Sequence, residues 1–227
     1  MAGGLGTRLK PVVSKVPKPM AKVGGKPFLE WQIDQLKKFG IRDIVISIGY
    51  MGEHIKRYFG NGKKFEVMVT YVEEEEPLGT GGALKNTSRF LAGEKKFLLM
   101  NGDTYLDLNF ADFLKFHDEK DALVTMALAR REKSFKSGCV RVDKDGRITE
   151  FVEKEEGSGL INAGHLLFET QALKLLPQRE KFSLECDFYP ELVGRGVLFG
   201  YLTSCYFRDL GNPEDYEAMK RELGATR

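Results

Sequence analysis

Gly3-Gly4-Leu5-Gly6-Thr7-Arg8-Leu9, followed by Pro17-Lys18-Pro19, sets flexible backbone amides beside two cations near the start of the chain. Those residue types suit the holding of a polyphosphate. Glycine lets backbone N–H groups approach phosphate oxygens without a Cβ in the way, and a turn opening into a helix adds a positive dipole end. Arg8 and Lys18 can offset charge that develops when a phosphoryl or nucleotidyl group moves. The spacing Gly4-x-Gly6-x-x-Leu9 lacks the third glycine of a dinucleotide fingerprint, and no Gly-x-x-x-x-Gly-Lys-Ser/Thr occurs in the chain. Neither a dinucleotide-binding dehydrogenase nor a Walker-type NTPase is favoured.

Asp103 directly follows the apolar run 97–100. It should emerge at the carboxyl end of a strand, where open α/β sheets bind ligands. A carboxylate there suits Mg²⁺, which prefers oxygen ligands and commonly takes one or two carboxylates plus substrate phosphates. Asn101-Gly102-Asp103 is equally the composition of a plain turn. Asp209 is the second candidate ligand; Asn212 and Pro213 after it supply an N-cap and a first helical residue, so the cap does not require Asp209. Glu76-Pro77-Leu78-Gly79-Thr80-Gly81-Gly82-Ala83-Leu84 joins a rigid turn to a glycine loop opening into a helix, which can either read a base edge or simply cap the helix. Glu153-Lys154 reads as a surface ion pair or as a pair of substrate contacts on opposite strand faces.

Taken in order, the Gly-rich start, 76–84, Asn101-Gly102-Asp103, Phe151-Val152-Glu153-Lys154, Asn162-Ala163-Gly164 and Asp209-Leu210-Gly211 resemble the sugar-1-phosphate nucleotidyltransferases, the NDP-sugar pyrophosphorylase family. The resemblance runs from Gly3 to about Tyr216. It implies transfer of a nucleotidyl group from an NTP to a sugar 1-phosphate with release of pyrophosphate, and Mg²⁺ as cofactor held by Asp103 and Asp209. It places Arg8, Lys18 and Asp103 in catalysis, and Gly3, Gly4, Gly6, Thr7, Arg8, Glu76, Gly79, Thr80 and Gly82 against the nucleotide. Gly138, Glu153, Lys154 and Asn162 fall on the sugar phosphate. The 77–82 loop, Phe182-Ser183-Leu184-Glu185-Cys186-Asp187-Phe188 and Phe207-Arg208-Asp209 are most similar to the guanylyltransferases of D-glycero-D-manno-heptose and mannose 1-phosphates, which implies GTP. Uridylyl- or thymidylyltransferases of glucose or N-acetylmuramate phosphates, and a non-catalytic NDP-sugar-binding regulatory subunit, are the alternatives. Family members place an apolar strand before the Gly-rich turn where this chain has Met1 and Ala2, so part of the first central strand is expected to be lacking.

A formal net charge of +2, from Lys+Arg 35 against Asp+Glu 33, does not argue for nucleic acid or an acidic membrane as partner. Cys139, Cys186 and Cys205 are widely spaced and form no Cys-x-x-Cys, which fits a reducing cytoplasm. No apolar run approaches the ~18 residues of a membrane span. A homo-oligomer is compatible with these residues and not derivable from them.

The 227 residues suffice for one α/β domain, 1–227, with a nucleotide-binding half to about 130 and a sugar-phosphate-binding half from about 131. Apolar runs at 41–48 and 97–100 predict buried strands. Helices are predicted from Phe28, Leu29, Gln32, Ile33, Leu36 and Phe39, with Gly40 as stop, and over 52–59; 65–72 alternates like a strand. The alternation argues a doubly wound, mostly parallel Rossmann-like sheet, with a small β-hairpin subregion at 139–142 and 148–152. A strand at 161–168, a helix from Thr170, a helix at 184–193, a strand at 198–207 and a helix from Pro213 complete it. His54, His117 and His165 accompany no nucleophile pattern, and covalent catalysis is not expected.

Overall fold

The computed structural model describes residues 1–4, 9 and 11–224, with only the backbone described at 132–138 and 153–157. In chain order the elements are β1 (Lys22–Val23), β2 (Lys26–Pro27), α1 (Phe28–Lys38), β3 (Asp43–Ile48), α2 (Gly52–Phe59), β4 (Met68–Glu73), α3 (Gly79–Thr87), β5 (Lys96–Met100) and β6 (Thr104–Leu106). There follow α4 (Phe110–Glu119), β7 (Val124–Val142), β8 (Ile148–Glu169), α5 (Tyr189–Arg195), β9 (Leu198–Thr203), β10 (Phe207–Asp209) and α6 (Pro213–Gly224). They form two compact units, one of Met1–Pro77, Asn101–Tyr105 and Arg208–Arg227, the other of Leu78–Met100 and Leu106–Phe207.

In the first unit β3 and β4 pair in parallel, Asp43 opposite Met68 through Ile48 opposite Glu73. Helix α1 buries Phe28, Leu29, Ile33 and Leu36, the apolar row expected from the sequence. Each such side chain contributes about 1.5–3 kcal/mol when fully buried. The helix stops at Gly40, whose φ of 78° takes the left-handed turn, with Gly40 N donating to Lys37 O and Ile41 N to Leu36 O. Met20, Leu29, Ile33, Ile46, Ile48, Ile55 and Phe59 make one apolar cluster with Ala2 and Val67. Ala2 N donates to Ser47 O at 2.9 Å and Gly102 N donates to Met1 O at 2.8 Å, so the chain start lies between the end of β3 and the 101–103 turn. Residues 104–105 of β6 and 208–209 of β10 belong here, where these two strands pair.

The second unit is built on a four-stranded sheet in the order β5-β8-β7-β9. Only β7 and β9 are parallel in it, as β3 and β4 are in the first unit. Strands β7 and β8 are joined by the tight turn at 143–147, where Asp143 Oδ1 accepts from Asp145 N and Arg147 N. So short a return can only be antiparallel. The hairpin is longer than the sequence suggested, because 139–142 and 148–152 are the tip of strands that run back to Val124 and on to Glu169. The helix expected at 184–193 is two pieces, a π-helical turn at Leu184–Phe188 and then α5. The strand expected at 198–207 breaks after Thr203, whose Oγ1 accepts from Cys205 N.

Candidate active site

Lys18 and Asp103 are brought together in the first unit. Lys18 opens a short 3-10 turn between Pro17 and Pro19, and its ammonium lies 2.5 Å from Asp103 Oδ2. The lysine side chain is 12% exposed and the aspartate 35%. At that depth the ion pair is only partly screened by solvent. Gln32 holds the turn that carries Asp103, its Nε2 donating to Asn101 O at 2.8 Å and Thr104 O at 2.7 Å. Gln32 is a polar residue on the apolar face of α1, 3% exposed, and that misplacement is the sequence signal for its role.

Asp209 reaches the same neighbourhood through the backbone, since Leu210 N donates to Asp103 O at 2.8 Å. Its Oδ1 accepts from Gly211 N at 2.7 Å, while Asn212 caps α6 by accepting from Asp215 N at 2.9 Å. The capping role is therefore filled by Asn212, as the sequence suggested. Carboxylates on two neighbouring segments are the donor chemistry a hard divalent cation requires. Among the described residues, the group of three that could hold a metal lies elsewhere, at His117, Asp118 and Glu169 in the second unit. There Lys96 already pairs with both carboxylates, and His117 Nδ1 lies 2.7 Å from Thr125 Oγ1. Burial holds the His117 pKa below its ordinary value.

Gly3 and Gly4 differ in what surrounds them. A Cβ on Gly3 would lie 3.1 Å from Glu74 Oε1, whereas one on Gly4 meets nothing within 4 Å among the described residues. Glu74 is in turn held by Ser47, whose hydroxyl donates to Oε1 at 2.6 Å. Glu76 is exposed. Gly6, Thr7 and Arg8 lie outside the described residues.

In the second unit the glycine loop opens α3 as expected, but the protein itself fills the space around it. Gly81 N and Gly82 N donate to Phe182 O at 3.0 and 3.3 Å. A Cβ on Gly79 would sit 2.5 Å from that carbonyl, and one on Gly82 2.2 Å from Glu180 O. The Thr80 hydroxyl donates to Glu185 Oε2 at 2.5 Å and accepts from Leu184 N at 2.9 Å. The single hydroxyl hydrogen of Thr80 is thereby committed to Glu185.

Asn162 lies on β8 opposite Leu128, at a register shift between β7 and β8. Its Oδ1 accepts from Gly164 N at 2.9 Å, and Gly164 has a φ of 73°, so Asn-Ala-Gly shapes an irregular strand segment. His165 is buried, with Nδ1 3.1 Å from Ala163 O, a core residue. Burial lowers its pKa to about 4. The side chains of Glu153 and Lys154, and the surroundings of Gly138, lie outside the described residues. A surface concavity of about 420 Å³, lined by Lys26, Trp31, Asp34, Lys37 and Arg42 among others, contains none of the candidate residues.

The chain belongs to the nucleotidyl transferase family, which it matches over residues 1–225. It is 37% identical to a D-glycero-alpha-D-manno-heptose 1-phosphate guanylyltransferase of Aneurinibacillus thermoaerophilus, across 98% of this chain and 96% of that protein. It is 34% identical to a mannose-1-phosphate guanylyltransferase of Mycobacterium tuberculosis across 98% of this chain, which spans 63% of that protein's length. HddC from Yersinia pseudotuberculosis, solved in complex with GMP-PN, superposes with a TM-score of 0.85 at 34% identity, covering 98% of this chain and 96% of that one. Among the described residues no helix is long and apolar enough to cross a membrane.

Proposed function

We propose that the chain transfers a guanylyl group from GTP to the 1-phosphate of D-glycero-D-manno-heptose or of mannose, releasing pyrophosphate. The observation that carries this is the near full-length likeness, in both directions, to a heptose 1-phosphate guanylyltransferase, joined to the Lys18–Asp103 pair. An oxygen of the sugar phosphate bonds to the α-phosphorus in line, the bond from that phosphorus to the bridging oxygen breaks, and pyrophosphate leaves. No general base is needed, because a phosphomonoester with a second pKa of about 6 is already ionised near neutrality. Lys18, which stands beside Asp103, and Arg8 offset charge gathering on the α-phosphate and the leaving pyrophosphate. Asp103 and Asp209 would hold Mg²⁺, which when bound neutralises and orients phosphate oxygens. Gly3 and Gly4 supply approach to the phosphates; Glu76, Gly79, Thr80 and Gly82 the nucleotide loop; Glu153, Lys154 and Asn162 the sugar phosphate. We read the chain as a single cytoplasmic nucleotidyltransferase domain acting on small molecules.

The test is Mg²⁺-dependent pyrophosphate release with GTP, UTP, dTTP, CTP and ATP, each crossed with heptose, mannose, glucose and N-acetylated sugar 1-phosphates. Release with GTP and heptose or mannose 1-phosphate is expected. A UTP or dTTP preference would overturn the substrate, and silence throughout with tight GDP-sugar binding would make the chain a regulatory subunit.

A further inference from the structure

Residues 177–187 lie along α3 and take up the groups that a helix start ordinarily leaves open. The first turn of α3 has no side-chain cap of its own. The Phe182 carbonyl stands in for one, accepting from Gly81 N and Gly82 N, while Phe182 N donates back to Leu78 O at 3.1 Å. Farther along, Lys85 Nζ donates to the carbonyls of Pro177, Gln178 and Arg179 at 2.9, 2.5 and 3.2 Å. At the centre is Glu185. A single oxygen, Oε2, accepts from both the Thr80 hydroxyl at 2.5 Å and the Ser183 hydroxyl at 2.8 Å. Ser183 in turn accepts from Cys186 N at 3.2 Å, which fixes the π-helical turn that carries Glu185.

We propose that Glu185 is a positioning residue for the nucleotide: through Thr80 it sets the direction of the loop that opens α3. This rests on the reading that residues 76–82 meet the nucleotide. With Gly81 N and Gly82 N committed to Phe182 O, the amides of Gly79 and Thr80 are, among the described residues, the first-turn donors left for a ligand acceptor. Thr80 has no other side-chain anchor among the described residues than Glu185 and Leu184 N, so loss of the carboxylate lets the loop turn about Gly79, whose φ of 76° already lies in the glycine region.

The experiment compares Glu185→Ala, Glu185→Gln, Thr80→Val and the double variant Glu185→Ala/Thr80→Val, with Leu192→Ala as a control that loses a buried α5 side chain outside the network. Glu185→Ala and Thr80→Val should each raise the KM for GTP roughly tenfold, the effect of one charge-assisted hydrogen bond. The KM for the sugar phosphate and kcat should stay within about twofold. Glu185→Gln should recover part of the GTP KM, because its carbonyl oxygen can accept both hydroxyls without the charge, and the double variant should be no worse than either single one. Leu192→Ala should lower the melting temperature and leave the GTP KM unchanged. A Glu185→Ala enzyme with an unaltered GTP KM, equal rises for both substrates, or additive single effects would overturn the proposal. Amide hydrogen exchange at 79–82 with and without GTP reads the loop without turnover. Protection in the wild type that is lost in Glu185→Ala supports the assignment even if the sugar preference above proves wrong; equal protection in both, or protection in neither, defeats it.

Discussion

Gly4 and Gly82 stand in the same kind of sequence, a glycine-rich turn beside polar residues, yet a Cβ added at Gly4 meets nothing within 4 Å among the described residues and one at Gly82 lies 2.2 Å from Glu180 O. Among the described residues nothing crowds Gly4. Backbone of its own unit fills the space beside Gly82. A glycine in a ligand-loop motif can thus answer to either of two demands, approach by a substrate or approach by another part of the chain. Both demands read alike in a sequence, because each selects only for the absence of a side chain.

The difference can be tested by removing groups that the two regions treat differently. The largest effect is expected at the first. Asp103→Asn and Lys18→Ala should each lower kcat/KM by roughly 10²- to 10³-fold, the cost of a preorganised charge contact, with no loss of fold in circular dichroism. Near-wild-type turnover in either would remove the pair from the mechanism.

The next effect belongs to the second unit, where His165 is fully buried. Burial holds His165 neutral, with a folded pKa of about 4 against 6.5 when unfolded. The unfolded chain therefore binds a proton between those values that the folded chain does not, and stability falls as the pH drops from 6.5 toward 4. The loss is about 3 kcal/mol. Urea unfolding across that range measures it, and a His165→Phe variant should flatten the His165 share of the slope.

Gly82→Ala forces a Cβ against backbone and should cost about 1–3 kcal/mol of stability, which a melting curve reads as a fall of several degrees. Gly4→Ala should leave the melting curve in place and lower kcat/KM by about tenfold through a displaced phosphate. If Gly4→Ala destabilised the protein as much as Gly82→Ala, the contrast between the two loops would collapse.

What the sequence disclosed was whatever a local pattern carries. Helix α2 runs over 52–59 as its composition suggested, and the turn at 143–146 followed from Asp-Lys-Asp-Gly, where Gly146 takes a φ of 82°. Asn212 and Pro213 marked the start of α6 correctly. Lys18 and Asp103, picked out singly for their chemistry, proved to be partners. Glu185 was visible only as part of a family motif inside an expected helix. Its contact with Thr80 joins residues 105 apart in sequence, and no local periodicity reports such a pairing. Ser47 likewise read only as part of the 41–48 strand, because its hydrogen bond to Glu74 spans 27 residues. The strands β7 and β8 were seen only at their tip, since charged and small residues between 130 and 160 mask the alternation.

The clasp of Lys85 and Thr80 by residues 177–187 also orders events during synthesis. A ribosome delivers α3 long before it delivers Glu185, and until then the first-turn amides of Gly81 and Gly82 have no carbonyl to meet. Leu210 closes on Asp103 later still. Nascent chains that have not yet released residues 177–187 therefore carry the glycines of the 79–82 loop without its final shape. The shape of this loop arrives late in translation, set by a segment some hundred residues away rather than by the glycines themselves.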